Sequence, residues 1–369
     1  GPRMRQTEKA HKTLESTSIP QECDNNILQG KKEVLQNVQQ TEKKRRLGPR
    51  YSMYGYLFIA PFFIIFLIFQ LYPLVYSVYL GFTDFVGLGK DVSFTLENYA
   101  ELFEDTRFWY SIYNTFLIWT INFIPQIVFA FLFAAIFTSV RLKMRGSGAF
   151  KVIYFLPNIL TATSVAVLFA SMFTFKTGIL DQILKATGII SDPNYDLSSD
   201  PTGARIVVAF IQFWRYFGST MLTLSAGMLG INPTLYEAAT VDGASKSRMF
   251  FSITLPLIRP IVLYTLVTSL LGGLQMFDIP QLFLNGGPDM AGGGKFATET
   301  VAVYIYKLAF EGDRLIGYAS AASVYLFIIA AALSIFTFRM FRTKNEGQDG
   351  LSKKESKAKR SAGRGVQSV

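Results

Sequence analysis

The residue types that carry most enzyme chemistry are nearly absent from this sequence. It has one histidine, His11, and one cysteine, Cys23. Clustered His/Cys metal centres, intrachain disulfides and His-based acid–base catalysis are therefore excluded. The glycine run before Lys295 lacks the first glycine of a phosphate-binding loop, and Phe296 stands where that loop needs Ser or Thr. We also find no nucleophile–base pair, so the sequence predicts a chain that is not an enzyme and binds no cofactor.

Polar side chains recur at helical spacing inside two of the long apolar runs. Polar groups are costly in lipid and usually face a cavity or another helix. The first stripe consists of the polar residues Gln212, Arg215, Tyr216 and Ser219, and Ser269, Gly273 and Met276 make a comparable stripe in the second run. Packing of these residues against a second subunit is as open an interpretation as a position facing a cavity. A structural ion pair between Arg215 and Asp278 is a further one.

Residues 231–256 form the most informative stretch. Asn232 is suited to capping a short helix that has Pro233 at its first position. The small side chains of Ala238 and Ala239 then allow another protein to approach this helix closely. Gly243 provides a sharp turn into a second amphipathic stretch. A helix resting on lipid headgroups would favour Lys and Arg instead. The pattern predicts a helix-turn-helix that projects from the membrane.

These features lie among six long apolar segments. Hydrophobic residues make up 50% of the chain and charged residues only 17%, below the share of about 25% typical of soluble domains. Several segments reach the roughly 20 residues that a membrane-spanning helix needs. The predicted spans are 54–82, 110–140, 149–175, 206–229, 257–284 and 317–341.

The charge distribution predicts the orientation of these spans. The net charge of +10 comes from two basic tails, 1–50 and 342–369, which flank a balanced core. Loop 141–151 is basic, whereas loop 83–109 is acidic. Placing both tails and the basic loop in the cytoplasm agrees with the preference of cytoplasmic flanks for Lys and Arg. A lipid bilayer, and not nucleic acid, is the predicted partner of this basic protein.

Residues 231–256, called the coupling loop from here on, closely resemble the cytoplasmic motif of binding-protein-dependent ABC importer permeases, in which this loop couples the permease to the ATPase. The residues that carry the resemblance are Glu237, Ala238, Ala239, Asp242, Gly243, Ala244, Phe250, Ile253, Leu255 and Pro256. Further similarity to the carbohydrate branch, of the maltose and glycerol-phosphate permease type, extends over residues 52–342. It includes Tyr72-Pro73, Asn98-Tyr99, Asn114-Thr115 and Asn285-Gly-Gly-Pro288.

The resemblance implies an all-α integral membrane protein with six transmembrane helices and the type I ABC importer permease fold. It implies a domain at 51–342 between polar tails at 1–50 and 343–369, with both termini cytoplasmic in a bacterial cell membrane. Implied partners are a second homologous permease, two ATPase subunits that use ATP and Mg, an extracellular binding protein, and a sugar or oligosaccharide. Glu237, Ala238, Ala239, Asp242, Gly243, Ala244, Phe250 and Pro256 would couple to the ATPase.

In maltose-type permeases, the equivalents of the two stripes line the sugar site. The resemblance therefore makes these seven residues candidates for the substrate pathway. Phosphate esters or peptides are alternative substrates within the family. A secondary transporter is the alternative outside it, although no internal repeat supports that class.

Overall fold

The computed structural model describes residues 49–87, 92–138, 146–290 and 295–341. Within them the chain is helical, with two isolated β-bridges and no strand. The helices are α1 Pro49–Phe66, α2 Tyr72–Gly81, α3 Glu97–Glu104, α4 Thr106–Thr138, α5 Ser147–Ile159, α6 Ala162–Phe173, α7 Ile179–Ala186, α8 Pro201–Leu229, α9 Pro233–Val241, α10 Lys246–Met249, α11 Leu255–Leu257, α12 Arg259–Leu274, α13 Asp278–Leu284, α14 Val301–Phe310 and α15 Ile316–Phe341. Residues 1–48 of the first predicted tail, the whole tail 343–369, residues 88–91 of the acidic loop, residues 141–145 of the basic loop and residues 291–294 of the glycine run lie outside the described residues.

Residues 49–74 belong to a first compact unit and residues 75–341 to a second. The first unit contains α1 and a π-helical turn, Leu67–Leu71, that leads into α2. No residue of that turn is buried, and its apolar side chains are exposed. A helix that is apolar on all its exposed sides is suited to lipid or to another protein, as the sequence predicts for the first span.

Helix α8 is the centre of the second unit. It packs along α4 and crosses α5, where Gly218 lies directly against the backbone of Tyr154. A Cβ at Gly218 would lie only 1.8 Å from the Tyr154 carbonyl oxygen, so the close approach requires glycine. Buried aliphatic residues of α8 form two clusters, one around Ile211 and Val208 and one around Met221. This packing fixes the polar face of α8 relative to its neighbours.

The third predicted span is wrong as a single straight helix. Helices α5 and α6 meet at an angle of 93°. Pro157 lacks an N–H and weakens the last turn of α5, and the chain then becomes extended at Leu160 and Thr161. The Thr161 side chain accepts a hydrogen bond from the Ser164 N–H at 3.3 Å and thereby starts a new helix. The sequence pattern shows the apolar run but not the direction in which each half points.

The fifth predicted span, 257–284, is also wrong as one helix. The chain bends by 67° between the segment Lys246–Leu257 and α12, next to Ile258. Helix α12 ends at Leu274, and Asp278 then begins the separate helix α13. Prolines on both sides of the first bend remove backbone donors that a continuous helix would use, which accounts for the break there.

Within the described residues, three helices are long and apolar enough to cross a membrane, namely Tyr54–Gly81, Thr106–Thr138 and Ile316–Met340. The count rises to 5 if each bent pair is one span. Helix α8 has 29 residues, which is ample length, but polar side chains in its middle lower its hydropathy. The predicted total of six spans therefore remains a prediction.

Candidate functional site

A cavity of about 340 Å³ lies between α4, α8, α12 and the segment that joins α12 to α13. All seven residues of the two predicted stripes line it: Gln212, Arg215, Tyr216, Ser219, Ser269, Gly273 and Met276. Side chains on one face of α8 converge with a face of α12 because the two helices pack against each other. The structure thus brings the predicted residues together, while their role in a substrate pathway remains a prediction.

Three polar side chains at this cavity are almost fully buried and incompletely hydrogen-bonded. Asn122 and Gln212 are each 5% exposed, and Arg215 is 7% exposed. The Asn122 Oδ1, Gln212 Oε1 and Arg215 Nε atoms have no hydrogen-bond partner. Leaving such groups unpaired in a low-dielectric interior costs free energy, so they are ready to bind a ligand that supplies the missing partners.

Trp119 is a cavity residue that the sequence analysis missed. Its indole stacks on Phe123, with ring centroids 5.1 Å apart, and its Nε1–H donates to the Ser269 Oγ at 3.2 Å. A Cβ at Gly273 would lie 2.3 Å from the Trp119 Cδ1. Gly273 and Ser269 therefore hold this ring in place as well as lining the cavity. A signal was available, because Trp119, Asn122 and Gln126 follow one helix face.

The Arg215–Asp278 ion pair considered from the sequence does not form. Both residues line the cavity, but no N–O contact within 4.0 Å joins them, and both belong to the part of the chain that the structure describes. Asp278 starts α13 instead of lying inside a span. The guanidinium of Arg215 lies over the Tyr216 ring, 5.3 Å from its centroid.

The coupling loop has the predicted helix-turn-helix form. The Asn232 Oδ1 accepts a hydrogen bond from the Thr234 N–H at 3.1 Å, with Pro233 at the first position of α9. Glu237 and Ala238 are exposed on α9, and Ala239 is half-buried. The exposed surface of this helix, which combines small side chains with the charge of Glu237, is accessible to another protein.

The turn of the coupling loop depends on Gly243, whose φ is +74°. Few other residue types adopt this left-handed conformation without strain. The Ala244 N–H donates to the Ala239 carbonyl oxygen at 2.9 Å and closes the turn, next to the exposed Asp242. Ser245 then caps the second arm by accepting from the Arg248 N–H at 3.3 Å.

Phe250 and Pro256, predicted as coupling residues, occupy the second arm. The Phe250 ring makes an edge-on contact with Phe131 of α4, with centroids 6.1 Å apart. Phe250 therefore anchors the coupling loop to the core of the second unit. Pro256 is exposed and lies two residues before the bend at Ile258.

A second polar cluster, which the sequence analysis missed, joins α4 to the segment before α14. Glu299 is 2% exposed, and its carboxylate lies 2.7 Å from the Arg107 Nη2 and 3.4 Å from the Lys307 Nζ. Nearby, the Arg205 Nη2 donates to the Asn114 Oδ1 at 2.9 Å. These residues are far apart in sequence, so no local pattern indicates the cluster.

The first turn of α8 is fixed by Asp200. Its carboxylate accepts a hydrogen bond from the Gly203 N–H at 2.7 Å. That bond, reinforced by the hydroxyl of Tyr195, lowers the pKa of Asp200 below its usual value. Burial, together with Asp200, raises the pKa of Tyr195 to about 12. Asp200 thus remains charged at neutral pH and caps the helix that carries the polar face of the cavity.

Residues 104–344 match the model of the family described as "Binding-protein-dependent transport system inner membrane component". The chain belongs to this family. The resemblance inferred from the coupling loop is thereby confirmed. This permease is a membrane component of a transport system that uses a binding protein, and its role is transport and not catalysis.

The permease is 32% identical over 305 residues to the lactose transport system permease protein LacF of Rhizobium radiobacter, covering 82% of this chain and 99% of that protein. It is 30% identical over 298 residues to the arabinooligosaccharides transport system permease protein AraP of Bacillus subtilis, covering 79% of this chain and 90% of the relative.

Among solved structures, the fold is similar to a chain of a bacterial alginate ABC transporter in complex with an alginate pentasaccharide-bound periplasmic protein. The TM-score is 0.67 at 25% identity, with 79% of this chain and 95% of that chain covered. The predicted all-α importer permease fold is thereby confirmed.

Proposed function

We propose that this permease carries a sugar or short oligosaccharide across the membrane as part of an ATP-driven importer. The observation that carries the proposal is the set of unpaired polar atoms at the cavity. The amide oxygens of Asn122 and Gln212 require donors, whereas the Arg215 Nε–H requires an acceptor. Sugar hydroxyls supply both, because each can donate and accept. The ester oxygens and charged phosphate oxygens of a phosphate ester only accept, so that group would leave the two amide oxygens unpaired.

The named relatives support a carbohydrate substrate. They are described as permeases for lactose, for arabinooligosaccharides, and for trehalose and maltose. The related solved structure belongs to a transporter crystallised with an alginate oligosaccharide on its periplasmic protein. These substrates differ in charge and length but share a ring with several hydroxyl groups, which is the chemistry that the cavity favours.

The proposed assembly contains a second homologous permease, two ATPase subunits and an extracellular binding protein. The ATPases use ATP and Mg, and the chain itself binds no cofactor. ATP binding closes the ATPase pair, the movement passes through the exposed surface of Glu237–Ala244, and the cavity opens outward to receive the sugar. Hydrolysis returns the cavity to the inward-facing state. Both termini lie in the cytoplasm, on the side of the coupling loop.

A detergent pull-down from native membranes tests the assembly. Tagged wild type is compared with Glu237→Arg, and with Glu311→Arg as a control that makes the same charge change at an exposed glutamate outside the coupling loop. An ATPase and a second permease should accompany the wild type and the control. The ATPase should be lost from Glu237→Arg. If the wild type purifies alone under conditions that preserve other membrane complexes, the secondary-transporter alternative is favoured.

An uptake assay tests the cavity. Gln212→Met keeps the side-chain length but removes the amide, and Ser225→Ala removes an equally buried, unpaired polar group of α8 away from the cavity. Loss of one hydrogen bond to an uncharged ligand should raise the KM for uptake by about twofold to tenfold in Gln212→Met. The KM of Ser225→Ala should stay at the wild-type value. Equal KM values in the two variants would contradict the cavity assignment.

A further inference from the structure

Helix α9 carries the exposed motif of the coupling loop but has no core of its own. None of its 9 residues is buried, and only Tyr236 and Ala239 are half-buried. Isolated helices of this length are marginal in water. The direction in which α9 presents Glu237 therefore depends on whatever ties the helix to the rest of the protein.

That tie is a hydrogen bond between two hydroxyl groups. The Tyr236 Oη lies 2.8 Å from the Thr254 Oγ1, across 18 residues of sequence. It is the only hydrogen bond between α9 and residues 245–258, a stretch that the structure describes throughout. Rotation of α9 away from the second arm would break this bond.

Thr254 belongs to the part of the loop that is fixed to the core. It is 6% exposed and ends a π-helical turn, Phe250–Thr254, in which the Leu255 N–H donates to the Phe250 carbonyl oxygen. The Thr254 carbonyl accepts from the Ile258 N–H at 3.1 Å, and Ile258 is buried in the core cluster of α8. Single π-helical turns are frequent at functional sites. Beyond Ile258 the chain continues as α12, which lines the cavity.

We propose that the hydrogen bond between Tyr236 and Thr254 is the positioning contact that makes α9 and the arm leading into α12 turn as one body. The inference rests on the proposed function, because it assumes that an ATPase moves α9. Without the bond, this end of α9 would be held by the backbone hydrogen bonds of the Gly243 turn, such as that from the Ala244 N–H to the Ala239 carbonyl oxygen, and the helix could pivot there. The movement of the ATPase would then be absorbed within the loop and would not reach the cavity.

The test measures the response of the cavity directly and needs no knowledge of the sugar. Cys23→Ser removes the only cysteine, and Thr268→Cys places a thiol at an exposed position of α12 that lines the cavity. The complex with its co-purified ATPase is placed in nanodiscs. A water-soluble maleimide is added without nucleotide, and with ATP and vanadate, and the ADP trapped by the ATPase is quantified in parallel.

Three single variants and one double variant are made in this background. Tyr236→Phe and Thr254→Val each remove one hydroxyl with little change of shape, and Thr254→Ser keeps the hydroxyl. With both hydroxyls intact, trapping should change the labelling rate several-fold. Tyr236→Phe and Thr254→Val should bind the ATPase and trap ADP normally, while the labelling change shrinks by about twofold to tenfold. The double variant Tyr236→Phe/Thr254→Val should show the same reduced labelling change as either single variant, because both remove the same bond. Thr254→Ser should show the labelling change of the parent.

Two results would overturn the proposal. One is an undiminished labelling change in Tyr236→Phe. The other is a parallel loss of trapped ADP and labelling change, which would mean that the bond serves only docking or folding. Absence of a co-purifying ATPase, or of any labelling change in the parent, would instead overturn the proposed function itself.

Discussion

Substituting Gly273 by alanine should disturb the cavity through Trp119. The added Cβ would lie 2.3 Å from the Trp119 Cδ1 and 2.8 Å from its Cγ, far inside normal contact distances. The indole has little room to retreat, because it stacks on Phe123 and donates to Ser269. Either the ring or helix α12 must shift.

The matched control is Gly272→Ala on the same helix. No atom lies within 4 Å of the Cβ position at Gly272. Both changes gain about 1 kcal/mol of helix propensity, so this contribution cancels in the comparison. Overpacking at Gly273 should cost about 1–3 kcal/mol. Gly273→Ala is therefore expected to be less stable than Gly272→Ala by about 1–3 kcal/mol.

Thermal unfolding of the two detergent-purified variants provides the assay. At about 2.1 cal/mol/K of unfolding entropy per residue, the expected difference corresponds, for a chain of 369 residues, to an apparent Tm about 1–4 °C lower for Gly273→Ala. Tryptophan emission should also shift in that variant, because the surroundings of Trp119 change. Equal melting temperatures and unchanged emission would refute the conclusion that Gly273 is required by close packing against the indole.

Three further predictions concern the coupling loop, the amino-terminal tail and the polar cluster. Gly243→Pro should abolish uptake while the protein still inserts in the membrane, because the φ of +74° is inaccessible to proline; Gly188→Pro, with the same φ of +74° outside the loop, is the control. Near-normal uptake by Gly243→Pro would contradict the coupling assignment. Deleting residues 4–45 should leave uptake largely intact, since this tail precedes the family match, and complete loss in a well-inserted truncation would show that the tail is needed. Glu299→Gln should lower stability by about 2 kcal/mol, measured as a lower Tm, because it removes the charge from a buried carboxylate that pairs with Arg107 and Lys307, whereas Glu311→Gln at an exposed position should not.

The coupling loop was predictable because its information is local. Asn232, Pro233 and Gly243 each favour one backbone conformation regardless of distant contacts, and the structure shows the cap, the first turn and the left-handed φ at those positions. The placement of Gln212 and Arg215 on one helix face was also predictable, because helical periodicity brings them together and polar groups avoid lipid, whereas the convergence of the two stripes depends on the packing of α8 against α12.

The bends and the long-range contacts were not predictable in this way. An apolar run shows that a segment prefers lipid or a protein core. Its hydropathy gives no information on where the helix bends or in which direction the chain continues. The 93° turn after α5 and the 67° turn at Ile258 therefore appear only in the structure. The same applies to the contacts of Glu299 with Arg107 and of Trp119 with Gly273, which join residues more than 150 positions apart.

The sequence by itself determined that this is a helical membrane protein of the importer permease family, because composition, periodicity and a contiguous motif are properties of neighbouring residues. Only the tertiary structure decided which polar atoms at the cavity remain unpaired and that Gly273 accommodates an aromatic ring. It also showed that Tyr236 ties the coupling helix to Thr254. Each of these depends on how separate helices pack, since a hydrogen bond or a steric limit exists only when distant segments meet at a defined distance.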